Sequence, residues 1–331
     1  MTNFSPFAKQ MYVASATQLV AVSLGGSLSY PSILFQQFQS NETTIHTDLD
    51  TLTWIASMHG LSGLGATLMP TIMQLIGRKY TFIGSSILFL IGWILAAAAT
   101  DIFTVLLSAV FHGLSSNCIS IINLVTISEM LAPKYRSALM ISLIIEQTLG
   151  QVIVANLGVI LDWQTEAMIM SAPIIVALFM AFSWPESPSW LAFKGKFEEA
   201  EKAFVWLRGT DEEANKELKA MIAAQREVKR QTKKMKLQNM VQEMKRRDLY
   251  MPSLYMFLLL LNFYGCGAIS LFIYTKDVIE IGTGNPKIAL TGYIITSYIL
   301  LTGSLISFVL IKFFNTKTVL STAFGSILCL L

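Results

Sequence analysis

Nine apolar stretches run through this 331-residue chain, and its basic residues fall almost entirely in every second gap between them. A helix needs about 20 mostly apolar residues to cross a bilayer. The stretches cover roughly 11–37, 54–76, 81–99, 102–130, 137–161, 166–184, 251–275, 288–311 and 318–331. The fourth is long enough to tilt or to extend past the bilayer, and the last, reaching the end of the sequence, is short of a full crossing. Only 14% of residues are charged, against about 25% in ordinary globular chains. Lipid is therefore the solvent for much of the surface, and the expected fold class is all-α, a polytopic membrane protein that moves or senses a solute.

The gaps set the orientation. Of 24 Lys and Arg residues, 22 lie in alternate gaps: Lys9, Arg78, Lys79, Lys134, Arg136, fifteen between 185 and 250, Lys312 and Lys317. The other gaps hold only Lys276 and Lys287, and carry acids instead: Glu42, Asp48, Asp50, Asp101, Asp162, Glu166, Asp277 and Glu280. Basic loops resist translocation, so the N-terminus and the 185–250 segment are expected in the cytoplasm of a plasma-membrane protein. The first outer loop then holds the sequon Asn41-Glu42-Thr43, a glycosylation acceptor, while Asn3-Phe4-Ser5 falls on the cytoplasmic side.

Three regions follow: 1–184 as an N-terminal six-helix transmembrane bundle, 185–250 as a cytoplasmic loop, and 251–331 as two full spans and a cut-off third. The loop is charged and has apolar residues at helical spacing (Ala200, Ala203, Phe204, Leu207; then Leu218, Met221, Ile222), the pattern of short amphipathic helices. Its basic run at Lys229, Arg230, Lys233, Lys234 and Lys236 reads as a solvated face, with contact to anionic lipid as the alternative.

Enzymatic chemistry is not indicated. No Gly-rich phosphate loop ends in Lys-Ser, no nucleophile is spaced to a base, and no His, Cys and carboxylate set has metal spacing. Cys118, Cys266 and Cys329 all lie in apolar runs and read as small hydrophobes. No cofactor, metal or nucleic acid is expected; the partners are the bilayer and a small-molecule solute.

Four strings at span boundaries carry more. They are Ile76-Gly77-Arg78-Lys79; Ser128-Glu129 followed by Pro133-Lys134-Tyr135-Arg136-Ser137; Pro185-Glu186-Ser187-Pro188-Ser189-Trp190-Leu191; and Ala200-Glu201-Lys202-Ala203 leading to Trp206-Leu207-Arg208-Gly209. In this order the set resembles the sugar porter family of the major facilitator superfamily, and within it the insect facilitated trehalose and glucose carriers. The resemblance implies two six-helix halves around a central solute site and transport of a sugar-like solute by alternating access, facilitatively. It also implies that Arg78, Lys79, Glu129, Arg136 and Glu186 latch a cytoplasmic gate. The residues alone permit a plainer reading of these charges, as positive-inside anchors and helix caps.

The chain departs from that family in ways that bear on the solute. The span-seven string of two glutamines and an asparagine is here Leu261-Asn262-Phe263-Tyr264-Gly265-Cys266-Gly267, Ile144 replaces a span-five glutamine, Ala109 replaces an arginine, and Gln74 replaces an acid. A sugar hydroxyl buried without a partner is costly, so the usual hexose site is not expected. The second half stops in its third span, and its counterpart of the Arg78-Lys79 loop keeps only Lys317. The substrate candidates that remain are Glu146, Gln147 and Gln151 on span five, where an ionisable residue within lipid is expensive and usually faces a cavity, and Asn262 and Tyr264 on span seven; the plainer reading of Glu146 is a residue in the first turns of its span that snorkels inward or pairs with a polar neighbour. His59 and His112 read as interhelical hydrogen-bond partners. Gly25, Gly26, Gly63, Gly65 and Gly92 read as close-approach points, and Pro31 as a kink. The alternative function is a truncated or degenerate, non-transporting paralogue that binds a solute or a partner.

Overall fold

The computed structural model describes residues 4–39, 45, 47–232, 246–265, 267–314 and 318. Among them every regular element is helical. In chain order these are α1 (Pro6–Phe38), α2 (Leu49–Ser62), a 3-10 segment (Gly63–Leu68), α3 (Met69–Ile76), α4 (Arg78–Ala98), α5 (Ile102–Met130), α6 (Pro133–Leu157) and α7 (Trp163–Ser183). Three linker helices follow, α8 (Pro188–Lys194), α9 (Phe197–Arg208) and α10 (Glu212–Thr232), and then α11 (Arg247–Gly265), α12 (Ala268–Thr283) and α13 (Pro286–Phe313). Six of these helices, α1, α4, α5, α6, α7 and most of α13, are long and apolar enough to cross a membrane.

The helix starts follow local chemistry. Asp48, Asp101 and Asp162 each accept a hydrogen bond from the backbone N–H three residues on, at Thr51, Thr104 and Thr165. Each thus satisfies a donor that the first helical turn leaves free. The Thr104 and Thr165 N–H groups and hydroxyls hold the Asp101 and Asp162 carboxyls below the usual carboxylate range.

Three expectations from the sequence need correction. The second span is not one α-helix: Gly63–Leu68 tightens to a 3-10 turn between α2 and α3. The seventh is broken where α11 ends at Gly265 and Gly267 takes a left-handed φ of 73°, after which α12 runs on to Thr283. Glu166 is not a loop acid; it sits in the first turn of α7, fully buried, with neither carboxylate oxygen hydrogen-bonded among the described residues. Pro31 lies inside α1, which is helical from Pro6 to Phe38.

α1 packs against α6, α7 and α5, α4 packs against α5 and α7, and α2 lies on α5. The α1–α6 crossing depends on two glycines. A Cβ on Gly25 would lie 1.7 Å from the Gln147 carbonyl oxygen, and one on Gly150 1.9 Å from that of Val22. Small residues substitute for a hydrophobic driving force where helices meet in lipid. Phe82, Phe89, Trp93 and Trp184 are fully buried within this core, whereas Phe103, Phe179 and Phe182 point outward, as a lipid-facing surface allows. α13 joins the first helices along α6, where the Thr148 and Ser304 hydroxyls are 3.0 Å apart, and the Ser32 hydroxyl of α1 donates to the Ile273 carbonyl of α12 at 2.5 Å.

Candidate functional site

The strings singled out in the sequence converge at the end of the bundle that carries the basic loops. Gly77 makes the turn from α3 to α4 with φ 102°, and a Cβ there would lie 2.2 Å from Glu186 Oε2. Glycine therefore serves twice, for the backbone angle and for the space. Through that space the Glu186 carboxylate reaches the start of α4. It accepts hydrogen bonds from the N–H of Arg78 at 2.8 Å and of Lys79 at 3.0 Å, where an anion meets both free donors and the positive end of the helix dipole. The exchange is reciprocal: Lys79 Nζ donates to the carbonyls of Phe182 and Trp184 at 2.9 and 2.8 Å, closing the C-terminal end of α7.

The Arg78 side chain turns to a different acid. Its Nε and Nη2 donate to the two oxygens of Glu129, at the end of α5, at 2.9 and 2.8 Å, and its Nη1 donates to the Met73 carbonyl of α3 at 3.0 Å. The pair is shielded, with side-chain exposures of 9% and 19%, and its two-pronged geometry suits the rigid guanidinium. Ser187 donates to Glu129 Oε2 at 2.5 Å and accepts from the Trp190 N–H at the start of α8. The Trp190 indole then donates to the Gln74 carbonyl of α3 at 3.1 Å. Five helices, α3, α4, α5, α7 and α8, are thereby tied at one end.

Arg136 belongs to a neighbouring cluster and pairs with neither Glu129 nor Glu186. Its Nε donates to the Leu131 carbonyl at 2.8 Å and its Nη2 lies 3.7 Å from Glu217 of α10. Arg208 of α9 also donates to the Leu131 carbonyl and pairs with Glu217 at 3.1 Å. Burial pushes the Arg208 guanidinium down from its ordinary pKa; Glu217 opposes that and Arg136 adds to it. Gln10 completes the cluster, accepting from the Ala132 N–H at 2.7 Å and donating to the Leu207 carbonyl at 3.2 Å. Sequence reasoning did not assign Ser187 or Arg208 a role, although both lie in quoted strings. Gln10 and Glu217 carried no signal. Among the described residues the first cluster ties α3, α4, α5 and α7 to α8, the second ties α1 and the α5–α6 junction to α9 and α10, and neither reaches α11–α13.

Three of the five substrate candidates share α6. Gln147 and Gln151 lie one turn apart on α6; Gln151 is buried, and the Gln147 carbonyl meets Gly25 of α1. Glu146 is half-buried beside them, and its Oε2 is shielded without a hydrogen-bond partner. Asn262 is exposed on α11. The side chain of Tyr264 and all of Asn41 lie outside the described residues. His112 is not the interhelical hydrogen-bond partner expected: it sits among rings, 4.4 Å from Trp93 and 5.6 Å from Phe89 between centroids, and its Nε2 has no partner among the described residues. The His59 Nε2 is likewise unpartnered.

Comparison with known proteins adds to this geometry. The family model described as "Sugar (and other) transporter" matches residues 12–331. The facilitated trehalose transporter Tret1 of Apis mellifera ligustica is 29% identical over 214 residues, 64% of this chain and 43% of that protein. Its counterpart in Drosophila grimshawi is 27% identical over 224 residues, 67% of this chain and 24% of that protein. The matched part thus spans less than half the length of either relative. Among solved structures, the major facilitator superfamily proton:xylose symporter XylE bound to 6-bromo-6-deoxy-D-glucose superimposes with a TM-score of 0.71 at 16% identity, over 92% of this chain and 70% of that one. The partially occluded inward-open form of the Escherichia coli xylose transporter XylE gives 0.70, also at 16% identity, over 93% of this chain and 74% of that one. At such identities the likeness is one of fold.

Proposed function

The chain belongs to the sugar (and other) transporter family and is a multi-pass membrane protein of the major facilitator fold; on that premise we propose that it carries a sugar or sugar-like solute across the plasma membrane by alternating access, facilitatively. The similarity of its relatives, described as trehalose transporters, supports the solute class. The split of basic and acidic loops supports an orientation with the N-terminus and α8–α10 in the cytoplasm. On this reading residues 1–184 form one moving bundle, 185–250 a cytoplasmic linker and 251–331 part of the second bundle.

The observation that carries the reading is the reciprocal cap between α4 and α7, with the Arg78–Glu129 pair beside it. Such a lattice makes one end of the bundle rigid, so that the helices rock as a body and do not bend singly. Rocking then loads or relieves the charges at the cytoplasmic ends, and Arg78, Lys79, Glu129, Arg136 and Glu186 act as the gate. Glu146, Gln147 and Gln151, joined by Asn262 and Tyr264 as the bundles close, offer the hydrogen-bonding groups that a polyol requires.

A second reading, a paralogue that binds without transporting, is favoured by the exposed Asn262 and by the apolar residues where the family keeps amides. Uptake of labelled trehalose and glucose by transporter-null cells expressing the protein separates the two. The carrier reading requires uptake above vector and a severalfold loss in Arg136→Ala and Glu186→Ala at equal surface expression. Unchanged kinetics in both variants would remove the gate assignment, and uptake at vector level would favour the second reading.

A further inference from the structure

A cavity of about 690 Å³ opens between the C-terminal end of α1, the start of α2 and the last turns of α12, at the end of the molecule opposite the Arg78–Glu129 pair. Its volume falls in the range of small-molecule sites. Phe35 and Tyr274 form one wall, their ring centroids 5.6 Å apart and tilted by 46°. Asp277 and Glu280 lie on the α12 side, and Gln39 and Thr53 complete the polar rim.

The two carboxylates are not equivalent. Glu280 is ion-paired along α12 with Lys276 at 3.7 Å. Asp277, one residue on and half-buried, makes no hydrogen bond and no ion pair among the described residues. The rim thus keeps one negative charge beside an aromatic wall. A neutral polyol would satisfy hydrogen bonds there but leave that charge balanced only in part, by Lys276, which is already ion-paired with Glu280. A monovalent cation with an apolar shell would neutralise it and rest on the Tyr274 ring face, where cation–π attraction operates. The acids at the start of α2, Asp48 at its N-cap and Asp50 in its first turn, add to the negative potential at this mouth.

We propose that this cavity binds a monovalent organic cation, a protonated or quaternary amine, held between Asp277 and the Phe35–Tyr274 pair. The proposal concerns equilibrium binding and is independent of whether the protein transports sugar.

The test uses the purified full chain in lipid nanodiscs, with choline as the probe, its uncharged isostere 3,3-dimethylbutan-1-ol as control, and trehalose as competitor. Saturable choline binding is expected, about tenfold tighter than that of the isostere, which lacks the charge. Asp277→Asn should weaken choline about tenfold and Tyr274→Leu severalfold, while Lys287→Gln leaves it unchanged. Added salt should weaken choline and not the isostere. Equal binding of choline and isostere, absence of saturable choline binding, an unchanged Asp277→Asn variant, or trehalose binding at this cavity in preference to choline would each overturn the proposal. If Asp277→Asn fails to fold, the wild-type comparison of choline with its isostere decides alone.

Discussion

Removing Arg78 or Glu129 singly should cost more stability than removing both. The pair is two-pronged and mostly shielded. Arg78→Leu strands the Glu129 carboxylate with only the Ser187 hydroxyl. Glu129→Leu strands the guanidinium with only the Met73 carbonyl. An uncompensated buried charge costs about 3–5 kcal/mol, whereas replacing both charges by apolar groups of similar size is often neutral or better. With Glu129 at 19% exposure, the lower end of that range applies, about 3 kcal/mol for each single variant. The double variant still loses the bonds to Met73 and from Ser187, about 1 kcal/mol apiece, so it should fall about 2 kcal/mol below wild type. Those two losses also occur in the single variants and cancel in the cycle, leaving a coupling of about 4 kcal/mol. Equilibrium unfolding in detergent micelles for the four proteins of the cycle measures it. Additivity within about 0.5 kcal/mol would refute the reasoning, because it would mean that neither charge depends on the other.

Two further outcomes test the packing and the caps. Gly25→Ala places a methyl group against the Gln147 carbonyl and should cost at least about 1–3 kcal/mol by the same unfolding assay. Gly303→Ala, which meets open space on α13, should be neutral or stabilise by up to about 1 kcal/mol; equal effects would contradict the close crossing of α1 and α6. Asp162→Ala should cost about 1 kcal/mol as a lost N-cap. Because the folded carboxyl titrates below its unfolded value near 3.9, the contribution of Asp162 is complete above that value and fades as pH falls through the lower, folded one. The wild type and the variant should therefore converge in acid, and a gap that persists at the lowest pH would contradict the cap.

Much of the site was legible because charge is conspicuous in an apolar chain. Arg78, Lys79, Glu129 and Glu186 fall at span ends on one side, and the structure brings all four together. Who pairs with whom was not legible. Arg136 turns to Glu217, which lies far along the chain in a helix whose register no motif fixes. That Glu186 hydrogen-bonds backbone N–H groups, with no side-chain ion pair within contact distance among the described residues, follows from the Gly77 turn, whose φ a sequence does not print. Helix breaks were hidden for a related reason. An apolar run looks the same whether Gly63–Leu68 is α or 3-10, and whether or not the backbone reverses hand at Gly267. Glu166 was misplaced because a charge near a span end reads as loop until packing shows it buried.

Counterflow in proteoliposomes tests the central claim most directly. Vesicles holding the purified full-length protein, loaded with unlabelled trehalose or glucose and given a trace of the same labelled sugar outside, should show a transient overshoot of internal label. Only a site that alternates between the two faces produces this exchange. A trace that rises no further than in protein-free vesicles, with either sugar, would contradict the account.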